Sequence, residues 1–167
     1  VISKNKFSFM DAGFHLISSI YIGFGFHYLM MTRIEGLPYI LFALFIVWAT
    51  DTGAYFFGNA FGKRKLWPEI SPNKTIEGAV GGTVLAILIA MIFQWVFPFA
   101  LSFGTIVLIA LLISLIGQIG DLVASALKRH FNVKDSGTIL PGHGGIIDRM
   151  DSLIFVSPFL HFIQFIT

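Results

Sequence analysis

The chain has 167 residues with a formal net charge of +2; 56% of its residues are hydrophobic and 12% charged, against roughly 25% charged in soluble domains. Together with a mean hydropathy of +0.83, this excludes an ordinary water-soluble domain and makes the bilayer the expected solvent, and so small a net charge predicts no nucleic-acid partner. The absence of cysteine excludes disulfides, thiolate metal sites and cysteine nucleophiles.

A helix needs about 20 residues to cross the hydrocarbon, so the composition predicts an all-α, polytopic bundle of about five transmembrane helices in a single domain over 1–167. Apolar runs fall at Phe9 to Met31, Pro38 to Phe61, Gly78 to Phe97, Phe103 to Leu127 and Met150 to Ile166. The first is interrupted by Asp11, His15 and His27 and weakened as a helix by Gly23 and Gly25. It has no small-residue cleavage signal behind it and reads as a retained span. Turn residues separate the runs at Glu35-Gly36-Leu37-Pro38, Trp67-Pro68, Ser71-Pro72-Asn73, Phe97-Pro98 and Leu140-Pro141-Gly142.

Five spans would put the N-terminus, second loop and fourth loop on one side. Lys4, Lys6, Lys63, Arg64, Lys65, Lys74, Lys128, Arg129, Lys134 and Arg149 all fall there, and Arg33 stands alone on the other. The positive-inside rule then makes that side cytoplasmic, in a cell membrane whose anionic lipids are natural partners for the cations.

Carboxylates inside spans are costly and usually functional. Asp51 lies about ten residues from the cytoplasmic end of the second span, roughly 15 Å deep, and Asp121 about six residues from that end of the fourth, roughly 9 Å deep. Both are placed to line one cavity opening to the cytoplasm, with Gly53, Gly58, Gly117 and Gly120 allowing close helix approach. The bland alternative is that each acid pins a neighbouring helix by a hydrogen bond.

The fourth loop, from Ser125 to Asp151, is dense in polar groups. Pro141, Gly142, Gly144 and Gly145 form a backbone-exposing turn just before a helix, which favours phosphate. Asp148 and Asp151, three apart, share a helix face; with Asp121 they supply hard oxygen ligands suited to Mg²⁺. Lys128, Arg129, Lys134 and Arg149 surround them as phosphate partners. In the second loop Thr75 is a candidate N-cap and Glu77 a first-turn acid, while Lys74 faces the acidic cluster. His15, His27 and His161 have no metal-ligand spacing, and His143 stands out only for its glycine-rich surroundings.

The pattern Ser125-x-Leu127-Lys128-Arg129, four residues, Lys134-Asp135-x-Gly137, then Leu140-Pro141-x-His143-Gly144-Gly145-Ile146-x-Asp148-Arg149-Met150-Asp151 resembles the whole signature of the CDP-diacylglycerol synthase, or phosphatidate cytidylyltransferase, family. The resemblance extends to Asp51-Thr52-Gly53-Ala54-Tyr55, Ser71-Pro72-Asn73-Lys74-Thr75-x-Glu77-Gly78 and Gln118-x-Gly120-Asp121. It implies phosphatidate plus CTP giving CDP-diacylglycerol plus pyrophosphate, a requirement for Mg²⁺ with a second cation such as K⁺, and a homodimer. It also implies metal ligation by Asp121, Asp148 and Asp151, phosphate neutralisation by Lys74, Lys128, Arg129, Lys134 and Arg149, and substrate positioning by Asp51, Asn73, Ser125, His143, Gly144 and Gly145. Members of that family are longer at the N-terminus, and this chain starts at Val1, so a C-terminal catalytic part is expected. An ion-coupled transporter using Asp51 and Asp121 and a CTP-dependent polyprenol kinase are the rival readings. The Asp148–Asp151 pair counts against the first, and the complete signature against the second.

Overall fold

The structure, a computed structural model, describes residues 8–137, 139 and 144–164. It contains helices α1 (Phe9–Glu35), α2 (Leu37–Phe61), α3 (Ile76–Val96), α4 (Phe103–His130) and α5 (Ile147–Gln164), with strands β1 (Lys65–Trp67) and β2 (Ser71–Thr75) between α2 and α3. The chain is an all-α, polytopic membrane protein apart from that hairpin. Helices α1 to α4 are long and apolar enough to cross a bilayer.

Local signals start each helix. Ser8 and Asp11 form a capping box at α1, so the acid that interrupts the first apolar run is a helix-start device. Pro38 stands in the first turn of α2, where its fixed φ suits the helix and its missing N–H costs nothing. Thr75 caps α3, accepting from the Gly78 N–H at 3.1 Å, and Ser102 caps α4, accepting from Thr105 N–H at 3.2 Å.

The two ends of the bundle differ. At one, Phe14 of α1 packs on Phe131 after α4 with ring centroids 4.3 Å apart, and Arg129 reaches the hairpin at Ile70 O, 3.4 Å away. At the other, Gln94 ties the α3–α4 turn by bonding Phe99 N, Phe99 O and Leu101 O, and Phe99 stacks on Tyr39 at the start of α2. Chain direction therefore alternates as the distribution of basic residues requires. Lys63, Arg64, Lys65, Lys74, Lys128, Arg129, Lys134 and Arg149 share the hairpin end, and Arg33 sits in the last turn of α1 at the opposite end. Lys4 and Lys6 lie outside the described residues.

Three differences from the sequence reading have physical causes. The second loop is an antiparallel hairpin, pairing Lys65 with Thr75 and Trp67 with Ser71 across an irregular register. Its strands are too short and polar to show alternation, and Pro72 is tolerated because a two-stranded sheet has only edges. Next, α1 continues unbroken through Gly23 and Gly25; Gly25 is buried where α1 meets Ile154 of α5. Finally, α5 begins at Ile147 rather than Met150, and with Asp148, Arg149 and Asp151 at its start it is not one of the four long apolar helices. Its Asp151, Ser152, Leu153, Ile154, Val156, Ser157, Leu160 and His161 are buried, so its polar groups face protein rather than lipid.

Helices α2 and α3 cross on glycine. A Cβ on Gly53 would lie 2.8 Å from Gly82 Cα and 3.1 Å from Gly81 O. Gly53→Val is therefore expected to cost about 1–3 kcal/mol by overpacking, read as a lowered midpoint of thermal unfolding in detergent. The control, Gly13→Ala, meets nothing within 4 Å and should leave the midpoint no lower.

Candidate active site

At the hairpin end a cavity of about 610 Å³ opens between α2, the hairpin, α3 and α4. Asp51, Tyr55 and Asn59, spaced by four, form its α2 wall, because positions one helical turn apart share a face. Lys65, Leu66, Asn73 and Lys74 come from the hairpin, Ala79 from α3, and Gln118 and Asp121 from α4. The expectation that Asp51 and Asp121 line one cavity holds. Lys74 reaches across from β2 and pairs with Asp121 through its Nζ, each side chain 28% exposed. That partial exposure leaves both groups open to a ligand.

The hairpin is what delivers Lys74. Glu77 in the first turn of α3 accepts from the N–H groups of Lys63 and Arg64, both at 3.1 Å, and Ile76 N–H donates to Arg64 O at 2.9 Å. The start of β1 is thereby fastened to the start of α3, and the intervening strands are held over the cavity. Glu77 thus does more than complement a helix dipole: its carboxylate anchors the turn.

The segment from Ser125 to Asp151 is organised differently from expectation, and none of its described residues is among those lining the cavity. Asp148 is fully engaged: Oδ1 accepts from Lys128 Nζ at 2.8 Å, while Oδ2 accepts from Ser136 N at 2.7 Å, Ser136 Oγ at 2.9 Å and Gly145 N at 2.9 Å. Burial alone would raise the Asp148 carboxyl, but the Lys128 ammonium, the Gly145 and Ser136 N–H groups and the Ser136 hydroxyl hold it well below the usual carboxylate range. A folded value below the unfolded one stabilises at all pH above about 4 and is lost only as pH falls through the folded value. Resistance of the loop to proteolysis should therefore be flat from about pH 5 to about pH 9.

Asp148 turns to the loop, whereas Asp151 is 9% exposed inside the bundle and accepts from Ser152 N–H at 2.8 Å. In the glycine turn the Gly145 N–H is taken by Asp148, and Gly144 takes φ +79° beside the same carboxylate. Among the described residues no three His, Asp or Glu side chains form a metal-ligand set, so Asp121, Asp148 and Asp151 are not gathered as one. Electrostatics nevertheless links Asp121 to Asp51 and to Asp151.

The other site candidates scatter around this centre. Ser125 Oγ lies 3.4 Å from Asp121 Oδ1, and Asn73 lines the cavity. Arg129 bonds the Ile70 and Val133 carbonyls at 3.4 Å each, while Lys134 and Arg149 are exposed on the loop and at the start of α5. His143 lies outside the described residues. Sequence reasoning passed over Asn59 and Lys65, whose signal was available: Asn59 repeats the Asp51–Tyr55 spacing once more, and Lys65 sits ten residues before Thr75 on the facing strand.

The model of the cytidylyltransferase family matches residues 1–167 of the chain. The chain belongs to that family. Among its curated relatives it is 56% identical over 161 residues to a phosphatidate cytidylyltransferase of Staphylococcus saprophyticus. It is 58% identical over 161 residues to one of Staphylococcus epidermidis and 55% identical over 166 residues to one of Bacillus subtilis. These alignments cover 96%, 96% and 98% of the chain but 62% of each relative. This member of the family has a cavity walled by carboxylates and lysines.

Proposed function

We propose that this chain carries out cytidylyl transfer from CTP to phosphatidate, giving CDP-diacylglycerol and pyrophosphate at the cytoplasmic face of a cell membrane. The observation that carries the reading is the cavity at the basic end of the bundle, where Lys74 pairs with Asp121 opposite Asp51. Within a family of cytidylyltransferases, whose relatives bear the name phosphatidate cytidylyltransferase, such a site answers the need to bring two phosphorylated reactants together at a bilayer.

Asp121 and Asp51 supply hard carboxylate oxygens on two walls of one cavity, and Asp51 accepts no hydrogen bond from a described residue. That donor set fits Mg²⁺, with Asp151 close enough to contribute charge. Asp148 is engaged by Lys128 at Oδ1 and by Ser136 and Gly145 at Oδ2, so the reading places the cation first at Asp121 and Asp51. The cation would screen the reacting phosphates and stabilise the departing pyrophosphate.

The protein's own groups set the geometry. A phosphate oxygen of phosphatidate attacks the α-phosphorus of CTP; the new P–O bond forms as the bond to the β-phosphate oxygen breaks, and pyrophosphate leaves with that oxygen. Lys74 gives up part of its contact with Asp121 to the triphosphate, and Lys65 adds a second cation to the cavity lining. The apolar outer faces of α1 to α4 keep the acyl chains in lipid while the headgroup meets the cavity at the interface. A partner copy completing a homodimer is part of the same proposal.

The test uses the protein in lipid nanodiscs with phosphatidate and Mg²⁺. CTP labelled in its cytidine should yield a labelled lipid, and CTP labelled at the γ-phosphate should not. The reverse pattern would make the chain a lipid kinase, and no labelled lipid from either would refute transfer to lipid.

A further inference from the structure

One wall of the cavity is backed by a row of neutral polar side chains linking three helices. Thr50 Oγ1 of α2 lies 2.9 Å from Ile46 O and 3.0 Å from Ser114 Oγ of α4. Thr83 Oγ1 of α3 lies 3.0 Å from Ala79 O and 3.0 Å from the same Ser114 oxygen. Gln118, one turn further along α4, sets its Nε2 3.0 Å from Thr83 Oγ1, 3.2 Å from Ser114 Oγ and 3.4 Å from Ala79 O. Thr50 and Ser114 are buried, and Gln118 is half-buried with its outer part in the cavity wall.

Counting protons decides which way the amide faces. Three hydroxyls bring three protons. Thr50 and Thr83 each reach a carbonyl one turn back, the usual acceptor for a helical threonine. Thr50 also donates toward Ser114 Oγ, which leaves the Ser114 proton for Thr83 Oγ1. What remains for Gln118 is lone pairs only, and Ala79 O can do nothing but accept. The NH₂ group must therefore face the row, which turns Oε1 the other way, to the cavity. Among the described residues no donor bonds this Oε1, and none bonds Asp51 on the facing α2 wall.

A wall that offers a fixed carbonyl discriminates between pyrimidines at one atom. Position 4 of cytosine carries an amino group with two N–H donors, whereas uracil carries an acceptor oxygen there. The geometry points to Gln118 as the residue that selects cytosine over uracil, its Oε1 accepting from the 4-amino group, with Thr83 and Ser114 as positioning residues that hold the amide in that orientation. The inference rests on CTP being the nucleotide and deepens that reading. A uracil oxygen placed there would face the Gln118 carbonyl and leave both oxygens without a hydrogen, the situation in which a buried polar site rejects an analogue most strongly. Lys74 and Lys65, on the hairpin side of the same cavity, are then left for the phosphates.

The experiment measures displacement of labelled CTP by unlabelled CTP and UTP, and turnover with each, in nanodiscs. Wild type should prefer CTP by at least about 100-fold, and Gln118→Leu should bring the two nucleotides to within about tenfold. Gln118→Glu keeps an acceptor and should keep the preference. Thr83→Val with Ser114→Ala leaves Gln118 in place but removes the acceptors that orient it; the preference should fall by about tenfold, in KM rather than kcat. This pair of near-isosteric changes also serves if Gln118→Leu fails to fold. Equal weakening of CTP and UTP in these variants, with the preference intact, would overturn the assignment. So would a changed Mg²⁺ requirement with the preference intact, which would make Gln118 part of the cation site. Wild type that binds neither nucleotide would overturn the cytidylyltransferase reading itself, a result distinct from CTP use with an unaffected ratio.

Discussion

Asp121→Asn is expected to lower turnover on the order of 10²- to 10³-fold, the scale of losing one preorganised electrostatic contact to a reacting centre. Two losses combine in that change. The cavity gives up a full negative charge that the proposed divalent cation would need, and Lys74 loses the counter-charge that holds it over the site. Lys74→Met should cost a similar factor, since a phosphate would then meet an uncompensated Asp121. The double variant should fall far short of the product of the two, because groups that act as a unit are not additive. Turnover per folded protein, with monodispersity checked for each variant, measures this. Near-normal turnover of Asp121→Asn would remove the basis for a cation at this carboxylate.

Asp148→Asn should also lower turnover, about 100-fold, but by a different route. Its carboxylate is the hub that ties Lys128 at the end of α4 to Ser136 and Gly145, with side-chain exposures of 18% for Lys128 and 7% for Asp148. Breaking one partner of so enclosed a pair costs about 3 kcal/mol or more. Here the strain falls on the loop rather than on the apolar core. The expected signature is faster proteolytic cleavage between Phe131 and Ile146, with Mn²⁺ affinity in the absence of nucleotide unchanged. Lys128→Met should reproduce both effects, and combining the two should add little. A large drop in Mn²⁺ affinity instead would return Asp148 to the metal.

What the sequence could and could not reveal follows from which interactions have a periodic signature. Four long helices were legible because each is a run of apolar residues bounded by turn chemistry, and the alternation of basic residues gave the relative direction of the chain. The pairing of Asp51 with Asp121 in one cavity was legible from charge alone, since buried acids in apolar helices must find one another or a cation. Family membership was legible from the fixed spacing between Ser125 and Asp151. The β1–β2 hairpin was not, because three- and five-residue strands of polar residues carry no alternation. The hydrogen bonds of Asp148 were not legible for a related reason: a spacing of three on a helix says which face two acids share only if both lie well inside the helix, and Asp148 stands at its first turn, free to bond the loop before it. The glycines that receive α2, at positions 78, 81 and 82, and the Thr50–Ser114–Thr83–Gln118 row depend on tertiary approach between helices. Neither has a signal in any one segment.

Because the chain contains no cysteine, one introduced thiol reports on the cavity without background. Asn59→Cys places it on the α2 wall, and Ser102→Cys, at the far end of the bundle, serves as the control. With Mg²⁺ present, CTP should slow alkylation of the thiol at position 59 by at least about tenfold, as expected for a ligand that buries most of its surface, and leave position 102 unchanged. Equal rates at position 59 with and without saturating CTP would contradict the placement of the nucleotide in this cavity.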